Sequence, residues 1–118
     1  MPGHKVDFHP EKGTVKVTVD GVVIADTDRA VVLMETGIPP VCYVPPEDVA
    51  EQYLTKTDHT THCPFKGDAS YWTIKVGDRE VQNAIWAYES PIEAAAPIKD
   101  HMAFYTTLVD SYKATHSA

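Results

Sequence analysis

Thr14-Val15-Lys16-Val17-Thr18-Val19-Asp20-Gly21-Val22-Val23-Ile24-Ala25 alternates apolar valines with polar partners up to Asp20-Gly21 and then turns apolar again. A period of two puts Val15, Val17 and Val19 on one face of an extended chain. Asp-Gly is the dipeptide that tolerates positive φ at both central positions of a two-residue hairpin loop. The stretch therefore reads as a β-hairpin, with Val22 to Ala25 as the return strand. Ala30 to Glu35, apolar on both faces, reads as a third and central strand of the same meander.

The pattern recurs downstream. Ala69 to Val76 alternates, Gly77-Asp78 makes a turn, and Val81 to Tyr88 pairs back. In the first of these strands Ser70, Trp72, Ile74 and Val76 share one face, and Ala69, Tyr71, Thr73 and Lys75 the other. Between the two hairpins, Pro39-Pro40 breaks any ladder, because proline offers no amide donor. Val41 to Val44 is expected as a short strand. Glu47 to Leu54 is expected as a helix of two turns, with acidic Glu47 and Asp48 at its start. Ile92 to Ala96 is expected as one helical turn, His101 to Tyr105 as a closing strand, and Ser111 to Ala118 as a frayed tail. The fold class is mainly β, antiparallel, with one or two short helices.

One domain is expected over residues 1–118, with its core at about 14–106, since 118 residues sit near the commonest domain size. A hydrophobic share of 43% and a charged share of 23% match ordinary soluble chains. Seventeen acidic against ten basic residues give a charge of −7, which disfavours nucleic acid as a partner. No apolar run is long enough for a membrane span or a signal peptide, so a cytoplasmic location is expected, with Cys42 and Cys63 free in a reducing compartment.

Chemically capable groups crowd together between His59 and Trp72. Cys63 is the strong nucleophile there, and His62 or Lys66 would supply the positive charge that stabilises a thiolate. Gly67 permits a turn that presents amide donors to a ligand. Cys63 and Lys66 are thus the candidate catalytic pair. The bland alternative is a small buried thiol beside a turn and a solvated amine. His59, His62, Cys63 and Cys42 are ligand types that zinc accepts, but no Cys-x-x-Cys pair accompanies them, and no metal or other cofactor is expected.

Leu33-Met34-Glu35-Thr36-Gly37-Ile38-Pro39-Pro40 with Tyr43, then Pro46-Glu47-Asp48-Val49, then Thr61-x-Cys63-Pro64-x-Lys66-Gly67-x-Ala69-x-Tyr71-Trp72 resemble the family known as domain of unknown function 427. Trp86-x-Tyr88-Glu89-x-Pro91 and Ile98-x-x-His101-x-Ala103-Phe104-Tyr105 extend the resemblance over about Val15 to Tyr105. It implies a compact antiparallel fold of the tent-like type, related to Mss4-like and methionine sulfoxide reductase B domains, without their zinc knuckles. It also implies a concave surface near the Cys-Pro-x-Lys-Gly loop. The nucleotidyltransferase label attached to the family finds no Gly-Ser and Asp-x-Asp constellation here. Mapped onto this chain, the family pattern marks Arg29, Glu35, Tyr43, Asp48, Thr61, Tyr71 and Trp72, with Gly67, as ligand-binding residues beside Cys63 and Lys66. His59 and His62 fall outside it. Three functions are compatible with these residues: a small-molecule-binding module for a possibly anionic ligand, a thiol-dependent enzyme, and a non-catalytic interaction domain.

Overall fold

The computed structural model of the chain describes residues 6–10 and 13–115. Among the described residues ten strands occur in chain order: β1 Val6–Pro10, β2 Thr14–Val19, β3 Val22–Thr27, β4 Val31–Glu35, β5 Val41–Tyr43, β6 Leu54–Cys63, β7 Gly67–Val76, β8 Arg79–Ala87, β9 Met102–Phe104 and β10 Ser111–Thr115. They form three antiparallel sheets, ordered β1-β4-β5, β10-β2-β3 and β6-β7-β8-β9. The fold is mainly β, as the alternating patterns require.

The β2–β3 hairpin closes through Asp20 at φ +50° and Gly21 at φ +77°, the two positive values that a type I′ turn demands. Val15, Val17 and Val19 are fully buried, so the valine face is the core face. The three-stranded meander does not form. Strand β4 is central, but in another sheet, between β1 and β5. Asp28 to Ala30 carries the chain across between the two sheets.

Strand β7 pairs with β8 through Trp72↔Ile85 and then Ile74↔Val81, a register shift that places Asn83 at φ +50°. The extra residues of the irregularity lie in β8, so the alternation along β7 is kept: Trp72, Ile74 and Val76 pack into one cluster and Ala69 and Tyr71 into the other. Thr73 and Ile74 are both buried because both faces of the sheet are covered.

Helix Glu47 to Leu54 is replaced by two separate 3-10 turns, Pro46–Asp48 and Glu51–Tyr53. Ala50 interrupts them because its amide donates to the Ile24 carbonyl at 2.8 Å, tying the segment to β3 rather than to its own previous turn. The late turn spans Glu93–Ile98 and includes Pro97. The tail is not frayed through Thr115, since β10 pairs with β2 from Ser111↔Thr18 to Thr115↔Thr14 and completes that sheet's edge. Residues 116–118 lie outside the described part.

Alternation along β7, β8 and β9 sends side chains to two clusters on opposite faces of the four-stranded sheet. Ile85, Ala87, Met102 and Phe104 pack with Val15, Val17 and Ile24 of the β2–β3 sheet. Ala69, Tyr71, Tyr88 and Ala103 pack with Leu33 of β4 and Tyr43 of β5. The second cluster is the one that receives the Cys-Pro-x-Lys-Gly turn.

Candidate functional site

Residues His59 to Cys63 are the end of β6, not a loop, and Cys63↔Gly67 closes the hairpin to β7. The turn is tight: the Lys66 amide donates to the Cys63 carbonyl at 3.1 Å. Gly67 sits at φ +120°, and a Cβ built there would stand 3.2 Å from the Pro91 Cα. The Ile92 amide donates to the Lys66 carbonyl at 2.9 Å. The turn is thus pressed onto the backbone of residues 90–92, which is why glycine is needed.

This geometry folds Lys66 inward. Its Nζ donates to Glu35 Oε1 at 2.5 Å, and each side chain is only 8% exposed. The ammonium expected to attract an anion is therefore committed to a buried carboxylate at the end of β4. Desolvated pairs of this kind are held by geometry and hydrogen bonding rather than by a net Coulombic surplus.

Tyrosines surround the pair. Burial pushes the Tyr43 phenol up to about 12, with Glu35, Cys63 and Tyr71 adding to the effect; the Trp86 indole N–H, donating to the Tyr43 oxygen at 3.2 Å, opposes it. Tyr88 is pushed up as well, first by burial and then by Tyr43, Cys63, Tyr71 and Glu35. Thr61 and Tyr71 share a hydroxyl–hydroxyl bond of 3.0 Å across the β6–β7 ladder. The Tyr105 phenol is raised to about 12 by burial and by its hydrogen bond with Tyr71. Glu35, Tyr43, Thr61, Cys63, Lys66, Gly67 and Tyr71 therefore belong to one neighbourhood.

Three of the sequence-marked residues lie elsewhere. Arg29 pairs with Asp48 at 3.1 Å, while the Thr27 hydroxyl donates to the same Asp48 oxygen at 2.7 Å. The Thr27 bond, then Arg29, holds the Asp48 carboxyl below the usual range against a smaller effect of burial. These contacts fasten the first 3-10 turn to the end of β3. Trp72 points to the opposite sheet face from Tyr71, where Lys56 Nζ lies 5.7 Å from its ring centroid.

The histidines do not converge on Cys63 as a metal set. His62 Nδ1 is 2.7 Å from Asp68 Oδ1, and His59 packs on Tyr71 with ring centroids 4.5 Å apart. Among the described residues no three His, Cys, Asp or Glu side chains are grouped to hold a metal ion.

A cavity of about 660 Å³ is walled by Met34, Ile38, Cys42, Trp86 and Tyr105, with Thr106 and Thr107 also lining it. None of the marked residues lines it. They stand one layer behind: Tyr43 accepts the Trp86 indole N–H, and Trp86 meets Tyr105 in a tilted arrangement with ring centroids 4.6 Å apart. Trp86 and Tyr105 stand in the family pattern, among aromatics of which a few could wall a pocket, but are not marked as site residues by the sequence; Ile38 before two prolines and the aromatic alternation around Trp86 are the signals that belong to this wall.

An all-antiparallel β domain with a buried Lys–Glu pair, a tyrosine cluster and an adjoining aromatic cavity is the class that fold and site define. The family model for a domain of unknown function, DUF427, matches residues 7–115. The chain belongs to that family. No curated protein matches it significantly.

Proposed function

We propose that the domain binds a small, largely apolar molecule in the cavity between the Met34–Cys42 connection and the Trp86–Tyr105 wall. The carrying observation is the cavity itself, about 660 Å³, within the range of small-molecule sites, with aromatic walls and a few hydroxyls on one side. The Thr-x-Cys-Pro-x-Lys-Gly turn acts here as support: it fixes the Glu35–Lys66 pair and Tyr71, which in turn fix the wall. An anion at the turn is the weaker reading, because the Lys66 ammonium is buried against Glu35. For thiol chemistry, the sulfur that lines the cavity belongs to Cys42 rather than Cys63.

With this reading go a single domain, a reducing cytoplasmic location, supported by two cysteines that are not joined in a disulfide, and partners other than nucleic acid, supported by the charge of −7. Kinship with the tent-like folds is supported by the three antiparallel sheets together with family membership.

An environment-sensitive apolar dye provides the test. Saturable binding with enhanced fluorescence is expected, together with slower alkylation of Cys42 when dye is bound. Ile38→Glu places a carboxylate on the exposed rim, where folding tolerates it, and should weaken binding about tenfold, the scale of about 1.4 kcal/mol for crowding a charge against an apolar ligand. Dye binding that Ile38→Glu leaves unchanged would sink the proposal.

A further inference from the structure

A second cavity, about 470 Å³, opens on the other face of the β6–β9 sheet, away from the tyrosine cluster. Leu54, Trp72 and Met102 give it an apolar floor, and Glu51, Glu89 and Asp100 set carboxylates around it. Separate elements deliver those carboxylates. Glu51 opens the second 3-10 turn, Glu89 follows β8, and the Asp100 amide donates to the Tyr88 carbonyl at 3.0 Å, which anchors Asp100 beside Glu89.

The protein already places one ammonium here. Lys56 Nζ lies 2.6 Å from Glu89 Oε1 and 5.7 Å from the Trp72 ring centroid, and the Ser70 hydroxyl donates to the same carboxylate oxygen at 2.9 Å. A cation held between a carboxylate and an indole face is the arrangement by which organic ammonium groups are recognised. The Lys56 side chain is half exposed, so it is free to swing into water. Three carboxylates against one ammonium leave −3 + 1 = −2 at the cavity. Among the described residues the acidic side chains do not group closely enough to share one metal ion, so their separation favours a ligand whose positive charges are also separated.

We infer that this cavity binds an elongated aliphatic diamine. One ammonium displaces Lys56 from Glu89 and the Trp72 face, the methylene chain lies on Leu54 and Met102, and the second ammonium is taken by Glu51 and Asp100. The site shares no lining residue with the apolar cavity, so either stands if the other fails.

The experiment is calorimetric titration of the full chain with 1,4-diaminobutane, with 1,4-butanediol as the uncharged control of equal length and magnesium chloride as the metal control, at matched ionic strength. Saturable binding of the diamine alone is expected. Lys56→Met should tighten it about threefold or more by vacating the ammonium position, and Glu51→Gln and Asp100→Asn should each weaken it about threefold, the scale of one exposed charge pair. Asparagine keeps the left-handed backbone at position 100, where φ is +61°. Binding of magnesium or the diol as tight as that of the diamine overturns the inference. So does diamine binding that all three variants leave unchanged.

Discussion

At the scale of single residues, the decisive contact joins Glu35 to Lys66 across 31 positions of sequence. Both residues were legible as members of the site, through the family pattern, but not as partners of each other. No spacing rule connects the end of β4 to a turn after β6, and a lysine four positions from a histidine reads more simply as a solvated amine. The contact makes a sharp prediction. Lys66→Met takes the ammonium away from a buried carboxylate and should cost roughly 3–5 kcal/mol, whereas Glu35→Leu combined with Lys66→Met, which removes both charges, should lie within about 1 kcal/mol of the parent protein. Urea denaturation of the two singles and the double gives the coupling. A Lys66→Met cost below about 1 kcal/mol would mean that water reaches the Glu35 carboxylate and that the pair is not desolvated.

At the scale of elements, what could be read was local chemistry, and what could not was pairing. The β2–β3 and β7–β8 hairpins announce themselves through Asp20-Gly21 and Gly77-Asp78 between alternating strands. Strand β6 carries Thr, Lys, Asp and His at most of its positions and is exposed along most of its length, because it is the edge of its sheet; its extended form comes from β7 and not from its own side chains. Strands β1 and β10 are likewise edge strands that only a partner reveals. The β6–β7 turn is the element on which the site depends most, and Gly67 is its constraint. Gly67→Ala asks a Cβ to fit 3.2 Å from the Pro91 Cα at φ +120°, where neither backbone gives way easily. A loss of about 1–3 kcal/mol is expected. The Ile92-to-Lys66 hydrogen bond should open at the same time, seen as faster hydrogen exchange of the Ile92 amide. An unchanged melting temperature and unchanged exchange at Ile92 would show that residues 90–92 do not clamp the turn.

For the whole molecule, charge and burial set a window of pH within which the fold is most stable, and its two edges have different origins. On the acid side, Asp48 and Glu89 titrate below their ordinary values because Thr27 and Lys56, respectively, hydrogen-bond their charged forms most strongly. Stability from a depressed carboxyl is present above its unfolded value, near pH 4, and is lost as pH falls through the folded one. On the alkaline side the sign reverses. Tyr43, 1% exposed, keeps its proton up to about pH 12, while an unfolded tyrosine loses it near 10. Between those values the unfolded chain binds fewer protons than the folded one, so stability falls as pH rises. For Tyr43 alone, 10 to about 12 corresponds to roughly 2–3 kcal/mol lost by the upper end. Tyr88, raised by burial in the same cluster, pulls in the same direction. Unfolding free energies measured from neutral pH to 12 should therefore bend downward above pH 10, and Tyr43→Phe should flatten the bend while losing the Trp86 hydrogen bond at neutral pH. Tyrosinate absorbance followed in parallel should rise abruptly at the unfolding midpoint, because the buried phenols ionise only when the cluster opens. A smooth titration of all tyrosines near 10, with no downward bend in stability, would mean that water already reaches the cluster behind the aromatic wall.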